Sequence, residues 1–224
     1  GHAEERIRED HLRILRYYRF QARFGSTLDD EGEEACAALA PMLKGLSRER
    51  VAMELLSLLD LADPQATVQR MFDRGVLPVI LPEVSDEGMA RLSALIASEE
   101  KYGAKPDSIR RLAAILPAEP KTAEQVAARL RLSNSHKKRL SRLAARARRL
   151  GDARVLAYRE GKDVACDLLL LANEPIASLT GWETPTFPLR GGEIVERGVD
   201  AGPEVARVLR AVEDRWLEEG FPDR

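Results

Sequence analysis

The 224 residues suffice for one large or two small domains, and 44% apolar content allows a real core. Lys and Arg number 35 against 37 Asp and Glu, a net charge of −2, so total charge alone does not mark a polyanion binder. No run of about 18 uncharged apolar residues occurs, which excludes a membrane-spanning helix, and no signal-peptide core opens the chain; a cytoplasmic location is the expectation.

Aromatics make up only 5% of the chain, while Ala, Leu, Arg and Glu are abundant, a mixture that favours helix because these side chains lose little rotamer freedom there. Alternating strand-like stretches are scarce. Cys36 and Cys166 lie far apart in apolar surroundings and read as free thiols. With three histidines they make no plausible zinc cluster, and no metal site is expected.

In chain order, the periodicity predicts a first helix from about Glu4 to Phe24, stopped by Gly25, with Ile7, Ile14, Leu15, Tyr18 and Ala22 on one side and Arg6, Asp10, Arg13 and Tyr17 on the other. His11 spoils this wheel slightly and suits an opening turn. A second helix spans Glu31 to Leu43, behind the acidic knot Asp29, Asp30, Glu31, Glu33 and Glu34, whose charges suit a helix N-terminus. Ser47 is an N-cap for a third helix to about Leu61, with Arg50 where a full capping box would have Glu or Gln. Asp63-Pro64 opens another, ending before Gly75, and Pro78 and Pro82 mark a break. Helices follow at about 86–101, 107–116, 122–131, 134–150, 152–160 and 162–172. Residues 176–202 hold many Gly and Pro and no sustained period; Gly202-Pro203 then launches a last helix. The expectation is an all-α multi-helix bundle with a smaller helical tail, divided at 1–84, 85–174 and 175–224.

Two stretches carry chemistry. Asp10 and Arg13 are helix neighbours; the carboxylate only accepts hydrogen bonds and the guanidinium only donates them. Cytosine and adenine both present an amine donor beside a ring-nitrogen acceptor, and guanine and uracil present the reverse. A fixed Asp-Arg pair therefore suits C or A and leaves its own groups mismatched against G or U. Glu9, at i,i+4 from Arg13, can orient it, and Arg16 and Arg6 lie close enough to face a triphosphate. Taken alone, the same residues also make a solvated ion-paired helix face. The second stretch has no acidic residue between Gln125 and Gly151, while Arg129, Arg131, Lys137, Lys138, Arg139, Arg142, Arg146, Arg148 and Arg149 are basic. It suggests a polyanion partner. Residues 122–143 also fit a helix-turn-helix DNA binder, although the turn lacks the usual Gly. A solvated charged face and a purely structural helical scaffold are the plainer alternatives.

Residues Arg6 to Phe20 resemble the pattern R-I-x-E-D-x-L-R-x-L-R-x-x-R-F of the class II tRNA nucleotidyltransferases, the family of CCA-adding enzymes and bacterial poly(A) polymerases. His11 stands where Pro is common. Ser47 to Leu56 is similar to that family's R-x-x-x-E element, carried by Arg50 and Glu54. Phe187 to Val195 and Gly202 to Val205 are similar to its tail, with Glu193 where Asp is usual. The resemblance implies a neck, body and tail that select CTP and ATP and hold a tRNA or other RNA 3′ end. It gives nucleotide contacts to Asp10 and Arg13, with Glu9 orienting Arg13, and neck support to Arg50 and Glu54. Phosphate contacts without base readout fall to Lys137, Lys138, Arg139, Arg142, Arg146 and Arg149. In this family the Mg2+-binding carboxylates belong to an N-terminal head with a Gly-Ser motif and an Asp-x-Asp. No such segment is found here, so the chain is expected to hold no catalytic residue and to be inactive alone. CCA addition and poly(A) addition are not distinguished by these residues.

Overall fold

The computed structural model describes residues 3–25, 29–146 and 150–222. Among them the chain is all-helical: α1 (Ala3–Glu9), α2 (Arg13–Phe24), α3 (Asp30–Leu39), a 3-10 helix (Ala40–Gly45), α4 (Arg48–Leu59), α5 (Gln65–Asp73) and α6 (Leu77–Ile80) come first. Then follow α7 (Asp86–Lys101), α8 (Ser108–Ile115), α9 (Pro120–Arg129), α10 (Asn134–Ala144), α11 (Ala153–Glu160) and α12 (Lys162–Leu171). A 3-10 turn (Ala177–Leu179), α13 (Gly191–Glu196) and α14 (Pro203–Glu218) close the chain.

Helix starts follow short polar side chains, because the first amides of a helix have no partner within it. Asp29 accepts from the Gly32 amide, Ser47 from Arg50, Ser85 from Gly88, Asp107 from Arg110, Ser133 from His136, and Asp152 from Arg154 and Val155. The cap expected of Ser47 is therefore present, and Asp29, out of the acidic knot, caps α3.

Several boundaries differ from the periodicity. The single helix expected from Glu4 to Phe24 is broken after Glu9. On a continuous helix Leu12 would lie roughly 140° from Ile7, yet both are buried, and the break rotates Leu12 inward. The pair of prolines read as a break flanks a short helix, α6, whose Leu77 and Ile80 are buried. The helix expected to reach residue 150 ends at Ala144, where the Ala145 amide turns onto the Arg142 carbonyl. In the Gly-rich tail α13 forms with Ile194 buried and Gly191 lying beside Val205 and Leu209 of α14.

One contiguous apolar core runs from Ile7 through Leu12, Tyr18, Leu43, Leu58, Leu81, Leu112 and Leu143 to Leu168, crossing from α1 to α12 without a gap at residue 84. A smaller cluster of Ala157, Ala165, Leu169 and Leu179 seats α11 on α12. The tail docks through rings: Trp216 packs edge-on to Tyr158 at 5.6 Å, and Arg159 pairs with Asp214 at 2.9 Å.

A buried ionic hub sits where α4, α7, α8, α10 and α12 meet. Arg110 reaches Glu99 at 2.8 Å and Asp167 at 2.9 Å, and Arg111 reaches Glu99 at 2.9 Å. Arg111 is the largest fully buried side chain and also donates to the carbonyls of Leu59, Leu61 and Ala62 at the end of α4. Those carbonyls lack partners within their own helix, and Arg111 supplies them.

Cys36 is buried and Cys166 half-buried, and both are free thiols. Burial pushes the Cys36 thiol up to about 12, which keeps it protonated and unreactive at neutral pH. No helix of the described residues is long and apolar enough to cross a membrane.

Candidate nucleotide and RNA-binding site

The segment between α1 and α2 is built by Asp10. Its carboxylate accepts from the Leu12 amide at 3.1 Å, a local turn that competes with helix continuation, and α2 restarts with the Arg13 amide on the Asp10 carbonyl. The second carboxylate oxygen accepts from Arg50 Nη2 at 3.0 Å. The Leu12 amide above all holds the Asp10 carboxyl below the ordinary range; burial opposes it, and the hydrogen bond and charge of Arg50 add to the lowering. Arg13 Nη1 lies 2.8 Å from Glu9 Oε2 and donates to the Arg6 carbonyl at 2.8 Å. Asp10, at the break between the two helices, and Arg13, at the start of α2, are thus each held by partners of their own, Leu12 and Arg50 for the carboxylate and Glu9 and Arg6 for the guanidinium.

Arg50 and Glu54, one turn apart on α4, do not serve each other. Arg50 turns to Asp10; Glu54, only 4% exposed, takes Arg16 Nε at 2.9 Å and Arg19 Nε at 2.7 Å. The structure brings together Glu9, Asp10, Arg13, Arg50 and, one turn on, Arg16 with Glu54. Arg16, expected toward a triphosphate, spends its Nε on Glu54 while its side chain stays 42% exposed. Arg6 is exposed on α1. Arg19 was not singled out by spacing to Glu54, although its i+3 position after Arg16 is the signal that would have found it.

The basic run is dispersed in space. Arg129 forks onto Glu83 at 2.8 and 2.6 Å, and Arg131 pairs with Glu49 at 2.6 Å. Arg139 pairs with Asp107 at 2.9 Å and Asp167 at 2.7 Å. Arg146 folds back to donate to the Leu116 carbonyl at 2.6 Å; burial and the neighbouring Arg91 pull it down to about 10. Arg139 and Arg146 therefore act as internal fasteners. Arg142 is exposed and stands 3.8 Å from Glu160, and Lys137 and Lys138 face solvent. Arg148 and Arg149 lie outside the described residues. Helices α9 and α10 do pack as a pair, and Arg131 (φ 52°) takes the left-handed turn conformation in place of the missing Gly.

Among the described residues no group of three or more His, Cys, Asp or Glu is placed to hold a metal ion.

Residues 25–87 match the family described as "Probable RNA and SrmB-binding site of polymerase A". Nearly the whole chain aligns with CCA tRNA nucleotidyltransferase 1, mitochondrial, of Mus musculus, 28% identical over 241 aligned positions, covering 99% of this chain and 54% of that protein. The CCA-adding enzyme of Streptococcus sanguinis is 26% identical over 242 positions, covering 100% and 59%. Over nearly its whole length the chain is similar to CCA-adding enzymes, and over residues 25–87 to the RNA-binding element named for polymerase A. It spans a little over half the length of these relatives. The family fold is seen directly in the CCA-adding enzyme of Thermotoga maritima complexed with tRNA, which superposes over 97% of this chain and 59% of that one, with a TM-score of 0.68 at 19% identity. A CCA-adding enzyme in complex with CTP gives 0.67 at 16% identity, covering 97% and 57%.

Proposed function

We propose that this chain is the nucleotide-selecting and RNA-holding part of an RNA 3′-end nucleotidyltransferase that adds CCA to tRNA from CTP and ATP. The observation that carries the reading is that Asp10, an acceptor, and Arg13, a donor three residues on, are both anchored where α2 begins. Leu12, Arg50 and Glu9 fix them, so neither group can reorganise cheaply to suit the opposite base edge. Cytosine or adenine would donate its amine to Asp10 and accept at its ring nitrogen from Arg13. Arg50 and Glu54 act as supports for the pair, and Arg16 with Arg6 lies toward the phosphates. Lys137, Lys138 and Arg142 supply sequence-independent phosphate contacts on the body, at some distance in sequence from the base-reading pair. The Mg2+-dependent transfer step, which needs carboxylates clamping two ions, is assigned to the part of the relatives that this chain does not cover. The relatives compared are CCA-adding enzymes, which favours CCA addition; the description of the family matched by residues 25–87 keeps poly(A) addition as the second reading.

The test is binding of CTP, ATP, GTP and UTP to the chain, followed by NMR at Arg13 and its neighbours. CTP and ATP should shift these signals at concentrations where GTP and UTP do not. Asp10→Ala and Arg13→Ala should each remove the preference, by about tenfold or more for a lost buried base contact. Equal binding of all four nucleotides by the unaltered chain, or an unchanged preference in both variants, defeats the reading.

A further inference from the structure

Helix α2 exposes two large rings that the base-reading pair does not use. Phe20 is 47% and Phe24 68% exposed, whereas most large apolar side chains of this chain lie inside. The rings are nearly parallel, 22° apart with centroids at 6.1 Å. Each carries a cation: the Arg19 guanidinium lies 4.9 Å from the Phe20 centroid, and that of Arg23 5.6 Å from the Phe24 centroid. Arg13, Phe20 and Phe24 stand at i, i+7 and i+11, which places them along one face of the helix.

We propose that Phe20 and Phe24, with Arg19 and Arg23, form a stacking platform for unpaired bases of a single-stranded RNA 3′ end. The proposal rests on the RNA-holding reading above and extends it to a second contact surface. Rings without hydrogen-bonding groups accept any base face, and the attached guanidiniums meet the phosphates that accompany the bases. An apolar protein surface is the poorer occupant, because covering these rings would strip water from the Arg23 guanidinium and give it nothing in return, whereas Arg19 already pairs with Glu54. The spacing also fits. At about 1.5 Å per residue, Phe20 lies roughly 10 Å along the axis from Arg13, about the length of three stacked nucleotides. A strand ending at Asp10 and Arg13 can therefore lie along α2 and reach both rings.

The experiment measures binding of the 224-residue chain to a short unpaired oligoribonucleotide and to the same sequence as a blunt duplex. Fluorescence anisotropy gives affinity, and a fluorescent adenine analogue near the 3′ end reports stacking by quenching. Phe20→Leu with Phe24→Leu keeps apolar bulk and removes the π faces. It should weaken the unpaired RNA about fivefold or more, abolish the quenching and leave the duplex unchanged. Phe24→Trp should keep or raise the affinity, and circular dichroism confirms that each variant is folded. Lys137→Glu with Lys138→Glu should instead weaken both RNAs together. Equal affinity and quenching in the Leu double variant overturns the platform, as does an equal loss on the duplex. If the double variant alters self-association and leaves RNA binding intact, the face is a protein interface and the proposal falls. An unaltered chain that binds neither RNA takes the functional reading down as well.

Discussion

Glu54 shows how one side chain can help set a site from its edge, with no bond to either Asp10 or Arg13. Its two oxygens hold Arg16 and Arg19 of α2, and four residues earlier Arg50 holds Asp10, so α4 positions the whole opening of α2. Glu54→Gln keeps the shape but removes the negative charge and turns one acceptor oxygen into a donor facing an arginine, and should lower stability by about 1–3 kcal/mol in urea unfolding. Arg50→Ala removes a half-exposed pair and should cost no more than about 1 kcal/mol. Its sharper effect is on Asp10. A carboxyl held below its unfolded pKa stabilises the fold above the ordinary carboxylate range, and that contribution is lost as pH falls through the lowered value. Removing Arg50 should move the Asp10 titration toward the ordinary range but not fully, since the Leu12 amide remains. Carbon-detected NMR titration of Asp10 checks this; an unmoved titration would show that Arg50 is a bystander. The identities of Asp10, Arg13, Arg50 and Glu54 were legible from motif spacing. Their partners were not, because one-dimensional spacing pairs Arg50 with Glu54, and only the side-by-side packing of α2 and α4 hands each to the other helix.

At the scale of elements, α10 teaches the same lesson about charge. The run from Arg129 to Arg146 contains no acid in sequence, yet Glu83, Glu49, Asp107 and Asp167 arrive from elsewhere in the chain and engage three of its cations, Arg129, Arg131 and Arg139. Lys137 and Lys138 keep facing solvent, Lys138 because it falls on the side of α10 opposite Leu140 and Leu143. The α9–α10 turn was legible; its strain was not. Arg131 occupies the left-handed region, which costs a side-chain-bearing residue about 1 kcal/mol. Arg131→Gly should therefore raise the thermal midpoint by a few degrees despite losing the exposed Glu49 pair, and Arg131→Val should lower it. The same Gly variant should release Glu49. Its carboxyl is now held at about 2, mainly by Arg131, and should move up toward the ordinary range without reaching it once that guanidinium is gone, since a backbone amide and Ser47 still donate to it. A lower midpoint for Arg131→Gly would mean that the ion pair outweighs the backbone strain.

Over the whole molecule the all-helical class was readable from composition and period, because Ala, Leu, Glu and Arg at helical spacing leave few other folds. The buried hub was not. Arg110 and Arg111 follow Ile109 on a helix flanked by caps, and nothing local says that both guanidiniums are swallowed by the packing of five helices. Arg111→Met should leave Glu99 with one partner fewer and the last carbonyls of α4 unsatisfied, costing about 3–5 kcal/mol in urea unfolding. Because one core continues from Ile7 to Leu168, the loss should appear as a single shifted transition by both tryptophan fluorescence and circular dichroism. Two separate transitions would show that the hub, rather than the core, makes the halves cooperative.

Arg111 also decides what kind of instrument the chain can be. By clamping the end of α4 to α7 and α8 it removes the hinge that a connection between two helical layers would otherwise provide. Helices α4, α7 and α8 are consequently one rigid frame, and any partner that spans them meets a fixed spacing rather than an adjustable one.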